Sequence, residues 1–363
     1  MSPFKTEISG KNAELIKNPI QLEDYVKGKP FVVKNKIIKG ADFDHRHIQN
    51  FDIEGSQITQ YWNRYGTFSN SIFKDSSIDT GSFTESTITN VTYENVTFTD
   101  VGFIDTTMVN VTFKNCTFNE SKFSGLKGKA KFIHSTLNAP DFYENEAILE
   151  FDNSTISNAS NPRVSGFDMQ KLPAAIYLKD SKLLGSSTSG PIRVGGNLTA
   201  FKANGGSIVN VGLGDSIKEV DLRHTSLDIS TGGNIENLLI EQSQIIRLGI
   251  GDTRINQITI SDCQAPVNLL SLIDGKFHHL DITNCTIHKF EPWSASGAIV
   301  DIRNSTLIDS NFQDAKLGEL TLNNVTVGNI NLTNAQAGHV NTNKVSFTPN
   351  SQLKDSGSNI KLH

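Results

Sequence analysis

Cysteine is scarce in this chain of 363 residues: Cys116, Cys263 and Cys285 are too few for a disulfide framework, and each reads as a small core residue. Long apolar runs are missing too; none approaches the roughly 18 residues that a membrane-spanning helix needs. The start, Met1-Ser2-Pro3-Phe4-Lys5, leads into polar sequence without the apolar core of a signal peptide. The expected location is therefore the cytoplasm, or delivery by a specialised secretion system that reads a short N-terminus. No glycine-rich loop stands between a strand and a helix, which removes the case for nucleotide binding. His45 and His47 stand close together, but no third or fourth ligand follows at useful spacing, so neither a metal nor another cofactor is expected.

What the chain does have is a period of five. Counting from Ile38, apolar residues fall at Phe43, Ile48, Ile53, Ile58, Phe68, Phe73 and onward through Tyr93, Phe98, Phe103, Met108, Phe113 and Phe118 to Phe123, with Asn63 the one exception. With 37% of the chain hydrophobic, chance does not produce such a series. Five fits neither a helix nor a flat strand, so the chain turns a corner every five residues. Two residues before each centre the side chain is mostly small or β-branched, as at Ser71, Ser86, Val96 and Cys116. Alternate residues of an extended segment share a face, so both positions point inward. Two residues after each centre stand mostly Asn, Asp or Gly, such as Asn90, Asn95, Asp100 and Asn115, the residues that accept turn dihedrals. Four such sides close a rung of about 20 residues, and stacked rungs make a solenoid with one continuous core.

The inward pairs Val96 with Phe98 and Val111 with Phe113, each followed by a corner at Asp100 or Asn115, resemble the pentapeptide-repeat family. The resemblance implies an all-β, right-handed, four-sided parallel β-helix. Val or Ser often replaces the usual Ala, and Thr the usual Asp or Asn, as in Val91-Thr92-Tyr93. The family contains DNA mimics that bind DNA gyrase, bacterial effectors delivered into host cells, and members of unassigned role, so the fold alone selects no function.

In chain order, residues 1–30 lie outside the period. Asn18-Pro19, then Leu22, Tyr25, Val26 and Gly28, predict a short helix capping the first rung. Residues 31–125 are the regular rungs. Residues 126–276 continue them with insertions at corners, the larger around Ser157 to Lys171 and Gly185 to Gly206 reading as projecting loops. Residues 277–348 return to the register, with a further corner loop expected around Phe290, Pro292 and Trp293. Residues 349–363 read as a disordered polar tail. Cys263 and Cys285 lie one rung apart, where parallel side-chain vectors predict stacked thiols rather than a bond. Triplets such as Asn90-Val91-Thr92 match a glycosylation signal but read more simply as corner Asn followed by strand Thr.

Between Gly40 and Ser160 there are 16 acidic residues against 8 basic ones, in a chain of net charge -5, so one end is acidic. A solvated face explains this; a DNA mimic acting on gyrase or another DNA-binding enzyme is the functional alternative. An enzyme needs carboxylates converging from neighbouring rungs. Asp281 and Asp301 meet that spacing near His278 and His279, but Asp221, Glu241, Ser261 and Asn323 hold comparable outward positions, as a mixed polar ladder would. The primary reading is a non-enzymatic β-helix scaffold, effector-like, that binds a protein partner and not nucleic acid directly. A phage or surface adhesin, or a polysaccharide-processing β-helix, is the other alternative. Surface candidates are Tyr61, Trp62, Arg64 and Tyr65, expected around a bulge at Asn63, together with Phe290 and Trp293. The apolar Val340, Val345 and Phe347 of the last rung call for a cover, either the tail folded back over it or a second molecule, and a homodimer through that end meets the need.

Overall fold

The structure is a computed structural model that describes residues 6–8, 14–16, 31–158, 166–169, 174–186, 190–349 and 351–362. Among these residues the chain is all-β, a parallel β-solenoid of about 15 turns at roughly 20-residue spacing, with no helix. It forms two compact units, Met1–Ile192 and Arg193–His363.

In the first unit, every fifth residue from Asn35 to Gly125 has a positive φ near +50 to +70°. This is the left-handed conformation that Asn, Asp and Gly tolerate and that turns the chain through each corner. The strands between are in parallel register one rung apart, as in Ile88↔Met108 and Phe98↔Phe118. Thr6–Ile8 and Glu14–Ile16 pair in the same way with Phe31–Lys34 and Lys36–Asp42, so the ladder reaches into the segment read as a cap. The helix expected over residues 18–28 lies outside the described residues.

The centres stack as columns of rings. Phe73, Tyr93, Phe113, Phe132 and Phe151 follow one another with centroids 4.8 to 4.9 Å apart, and Phe83, Phe103, Phe123 and Phe142 form a second column at 4.6 to 5.2 Å. Each buried ring contributes about 1.5–3 kcal/mol from area alone. The small inward position is often hydroxylated because a hydroxyl there completes the backbone. Ser135 Oγ accepts from Cys116 N at 3.1 Å, Ser154 Oγ from Ser135 N at 3.0 Å, and Ser181 Oγ from Ser154 N at 3.0 Å. Outside, corner side chains bond rung to rung, as where Asn110 donates to Asn90 and Asn90 to Asn70.

The loss of strict period after Leu126 has a local cause. Met108 pairs with Gly128, but Val111 pairs with Ala130, so one side of that rung is a residue short and the spacing becomes 19. A side chain at Gly128 (φ +85°) would meet the Met108 carbonyl at 2.2 Å, which leaves glycine the residue that fits. The insertion around Ser157 to Lys171 lies largely outside the described residues.

In the second unit the expected loop of Gly185 to Gly206 is mostly strand, Ile192–Asn204, with Val194, Leu198 and Phe201 buried. The irregularity at Pro292 and Trp293 is a regular corner. Ala295 N bonds Pro292 O, as Gly275 N bonds Leu272 O and Ala315 N bonds Phe312 O on neighbouring rungs. Cys263 and Cys285 are joined by a disulfide, their Cα atoms 5.1 Å apart, against the expectation of stacked thiols. The parallel-vector argument assumed a regular site, whereas Cys263 begins an irregular segment after the Asp262 corner, free to turn its side chain toward Cys285. The tail also differs from expectation. Leu353–Lys354 pairs with Ile330 and Asn331, Asn359 bonds Ala337 through both amide atoms, and Ile360 is buried.

Candidate functional site

The predicted surface cluster of the first unit divides in two. Tyr61 and Asn63 are fully buried, and the strand Gln57–Arg64 keeps unbroken register with Ser77–Thr84, so no bulge forms. Tyr61 stands at the small inward position and Asn63 at the large one, the reverse of the repeat. The Tyr61 ring takes the place that Asn63 leaves, 5.5 Å from Phe43 and 4.9 Å from Phe83, and its partner on the next rung is Gly81, without a side chain to oppose it. The two exceptions compensate each other, which removes Tyr61 from the surface. Asn63 Oδ1 and Nδ2 and the Tyr61 hydroxyl have no hydrogen-bond partner there. Burial raises the Tyr61 phenol well above its ordinary range.

Trp62 is half-buried and Arg64 exposed, the guanidinium 5.5 Å from the Trp62 ring centre. Arg64 Nε donates to Asp44 at 2.6 Å, and Tyr65, 51% exposed, stacks on His45 at 5.0 Å. Partial burial alone raises the Asp44 carboxyl, but the Arg64 hydrogen bonds and charge bring it below its ordinary range. These outward side chains are thus already engaged with one another. Phe290, the other aromatic expected outside, is buried against Phe312 at 5.3 Å because it holds an inward strand position. Trp293 is 41% exposed on its corner.

The second unit carries a groove that the sequence reading did not single out. Parallel register brings Asn234, Arg254, Lys276, Ser296 and Lys316 into one column on successive rungs. Inside that column run Ile235, Ile255, Phe277 and Gly297, and beyond it His278 and Ala298. Together they line an open groove of about 620 Å³ that begins at Ser216 and ends at Lys316. A signal for it exists in the sequence. Asp252-Thr253-Arg254, Asp274-Gly275-Lys276 and Asp314-Ala315-Lys316 each place a cation two residues after a left-handed Asp corner, so the cations recur on one face.

Around the bend of the same strands lie the carboxylates considered for catalysis. Asp281 and Asp301 are register partners, and Asp221 reaches the same column through Leu239 and Thr259. Glu241, Ser261 and Asn323 occupy the neighbouring column with Thr283 and Arg303. Asp301, 8% exposed, forms an ion pair with Arg303, and Thr283 donates to Asp281 at 3.0 Å. Asp301 Oδ1 and His279 Nε2 are buried without partners. No group of three or more His, Cys, Asp or Glu among the described residues is arranged to hold a metal ion, and no described helix is long and apolar enough to cross a membrane.

Fold and surface together define the class as a parallel β-solenoid that presents ladders of outward side chains. Comparison with known proteins takes this no further: the chain matches no family model and no curated protein.

Proposed function

We propose that the protein is a non-enzymatic scaffold that binds a macromolecular partner along the outer side of its rungs, the binding surface being the groove of the second unit. The observation that carries this reading is the groove's form. It follows consecutive rungs from Ser216 to Lys316, so it fits an extended ligand better than a compact substrate. The resemblance to delivered effectors of the pentapeptide-repeat family agrees with such a role. The Cys263–Cys285 bond favours a compartment outside the reducing cytosol over the cytoplasmic alternative.

A DNA mimic is the weaker reading. Such a surface needs runs of carboxylates, but one outward column of the acidic first unit alternates in sign: Lys34, Glu54, Lys74, Glu94 and Lys114 are successive register partners. Lys34 and Glu54 are 3.2 Å apart, and Glu94 and Lys114 are 2.8 Å apart. The test of the scaffold reading is a peptide and glycan array probed with the wild-type chain and with Lys276→Glu. Saturable binding of an extended ligand that Lys276→Glu abolishes supports it. Cleavage of a glycan, lost in Asp281→Asn or Asp301→Asn, overturns it in favour of an enzyme.

A further inference from the structure

We infer that the groove of the second unit takes a linear acidic oligosaccharide, its carboxylates held by Arg254, Lys276 and Lys316 and its sugar rings lying along the groove between them. The proposal rests on the reading of this groove as the binding surface and adds the chemistry of its occupant. Arg254, Lys276 and Lys316 are all exposed, and none forms an ion pair among the described residues. Four other cations of the unit are paired, Arg223 with Asp221 and Glu241, Arg247 with Asp228, Lys202 with Glu219 and Lys289 with Glu291. Arg193, Lys218, Lys344 and Lys354 are exposed without an ion pair among the described residues, outside the groove lining. The groove is therefore one of the places where positive charge is left over, and Glu236 is the one carboxylate in its lining.

The spacing argues for the kind of anion. Rungs repeat at about 4.8 Å, so Arg254 and Lys276 stand one repeat apart and Lys316 two repeats beyond. A 1,4-linked pyranose chain advances by a similar step per sugar and, where alternate sugars face the same way, brings a carboxylate to one side every second rung, the separation of Lys276 and Lys316. An extended acidic peptide places same-face carboxylates about 6.6 Å apart and drifts out of phase within two rungs. Nucleic acid fits less well still, because its charge density asks for more cations than three over this length and single strands need exposed aromatic faces for stacking. Phe277 is only 6% exposed and offers none. Between the cations the groove surface is formed by the exposed Asn256 and His278 and the partly exposed Gly297 and Ala298, groups that meet the hydroxyls and C–H faces of sugar rings.

The experiment is titration calorimetry of the full chain with hexameric oligogalacturonate, with cellohexaose, hexaglutamate and a short oligothymidylate as comparison probes. The expected result is binding of oligogalacturonate that weakens with salt, at least tenfold tighter than any comparison probe. In Arg254→Gln/Lys276→Gln/Lys316→Gln it falls at least tenfold, while the melting temperature and far-ultraviolet spectrum stay unchanged. Lys289→Gln, outside the groove, serves as the charge control and leaves affinity as in wild type. Equal affinity for cellohexaose, or an undiminished affinity in the triple variant, overturns the proposal. Groove-dependent preference for hexaglutamate or oligothymidylate overturns the sugar assignment but leaves the scaffold reading standing, whereas absence of binding to every extended probe counts against both.

Discussion

The ring of Phe277 fills the space that a side chain at Gly297, its register partner on the next rung, would occupy: a Cβ there would lie 2.1 Å from Phe277 Cε2. The inward column that elsewhere reads Ile235, Ile255 and Leu317 thus has its large and small members paired across one contact. Gly297→Ala is expected to cost about 1–3 kcal/mol as an overpacked core does. Phe277→Leu in the same chain is expected to return part of that cost, since neighbours in contact are not additive. Denaturant unfolding of the two single variants and the double variant measures the coupling, and additive costs would show that the contact is not the cause.

Thr80 holds a corner with φ +55°, a conformation that a β-branched residue adopts at a penalty of about 1–2 kcal/mol. Its side chain is exposed, so nothing in packing calls for it. Thr80→Asn, which supplies the residue type found at the Asn70 and Asn90 corners, is expected to raise the unfolding midpoint by the equivalent of about 1 kcal/mol with an unchanged denaturant slope. A neutral or negative shift would mean that Thr80 meets a requirement other than the corner.

The buried hydroxyls make a sharper demand. Ser154 Oγ is the acceptor for the Ser135 N–H at 3.0 Å, and both residues are excluded from water. Ser154→Ala leaves that donor unpaired and is expected to cost about 1–3 kcal/mol, with faster exchange of the Ser135 amide proton. Thr106 and Thr225 hold the same kind of inward position with their hydroxyls bonded, so Ser154→Thr is expected to restore most of the loss. Equal costs for Ala and Thr would assign the effect to volume instead.

At alkaline pH the core works against itself. Burial pushes the Cys116 thiol up to about 12, and burial likewise raises the phenols of Tyr61 and Tyr93. These groups stay protonated in the folded chain while the unfolded chain releases its protons at ordinary values, about 8.5 for a thiol and about 10 for a phenol. Raised folded values mean that their stability is complete below the unfolded values and is lost as pH rises toward the folded ones. Stability measured across pH 7 to 11 is expected to fall from about pH 8.5, and Cys116→Ala is expected to move the onset upward toward the tyrosine range. An unshifted onset would assign the fall to the tyrosines alone.

How far the sequence could be read follows from what sets each feature. The corners and inward columns were legible because one repeat imposes both: Asn90, Asn110 and Asn115 are the residues that a left-handed corner favours, and Phe98 and Phe118 are the rings that stack. Tyr61 was misread because its burial depends on a compensation between neighbouring rungs, with Gly81 opposite, that no single-rung pattern records. Phe290 was misread because Pro292 seemed to break a strand that in fact ends there at a regular corner. The groove was missed for a related reason. Arg254, Lys276 and Lys316 are separated by 22 and 40 residues and form a column only once the irregular rung containing Cys263 is aligned.

The last rung sets the final prediction. Asn359 clasps Ala337, accepting from its N–H and donating to its carbonyl at 2.8 Å each, and Ile360 is buried beneath it, so the tail covers part of that rung. Phe347 and Leu353 nevertheless stay 40% and 48% exposed beside the outer edge of the strand Gln336–Phe347. An apolar edge of this kind is a template for a second chain. Light scattering of the wild-type chain at high micromolar concentration is expected to show a mass above the monomer, falling to the monomer in Phe347→Lys/Leu353→Lys. Asn359→Ala/Ile360→Ser, which frees more of the edge, is expected to raise the mass further. A monomer in all three proteins would show that the tail alone closes this end.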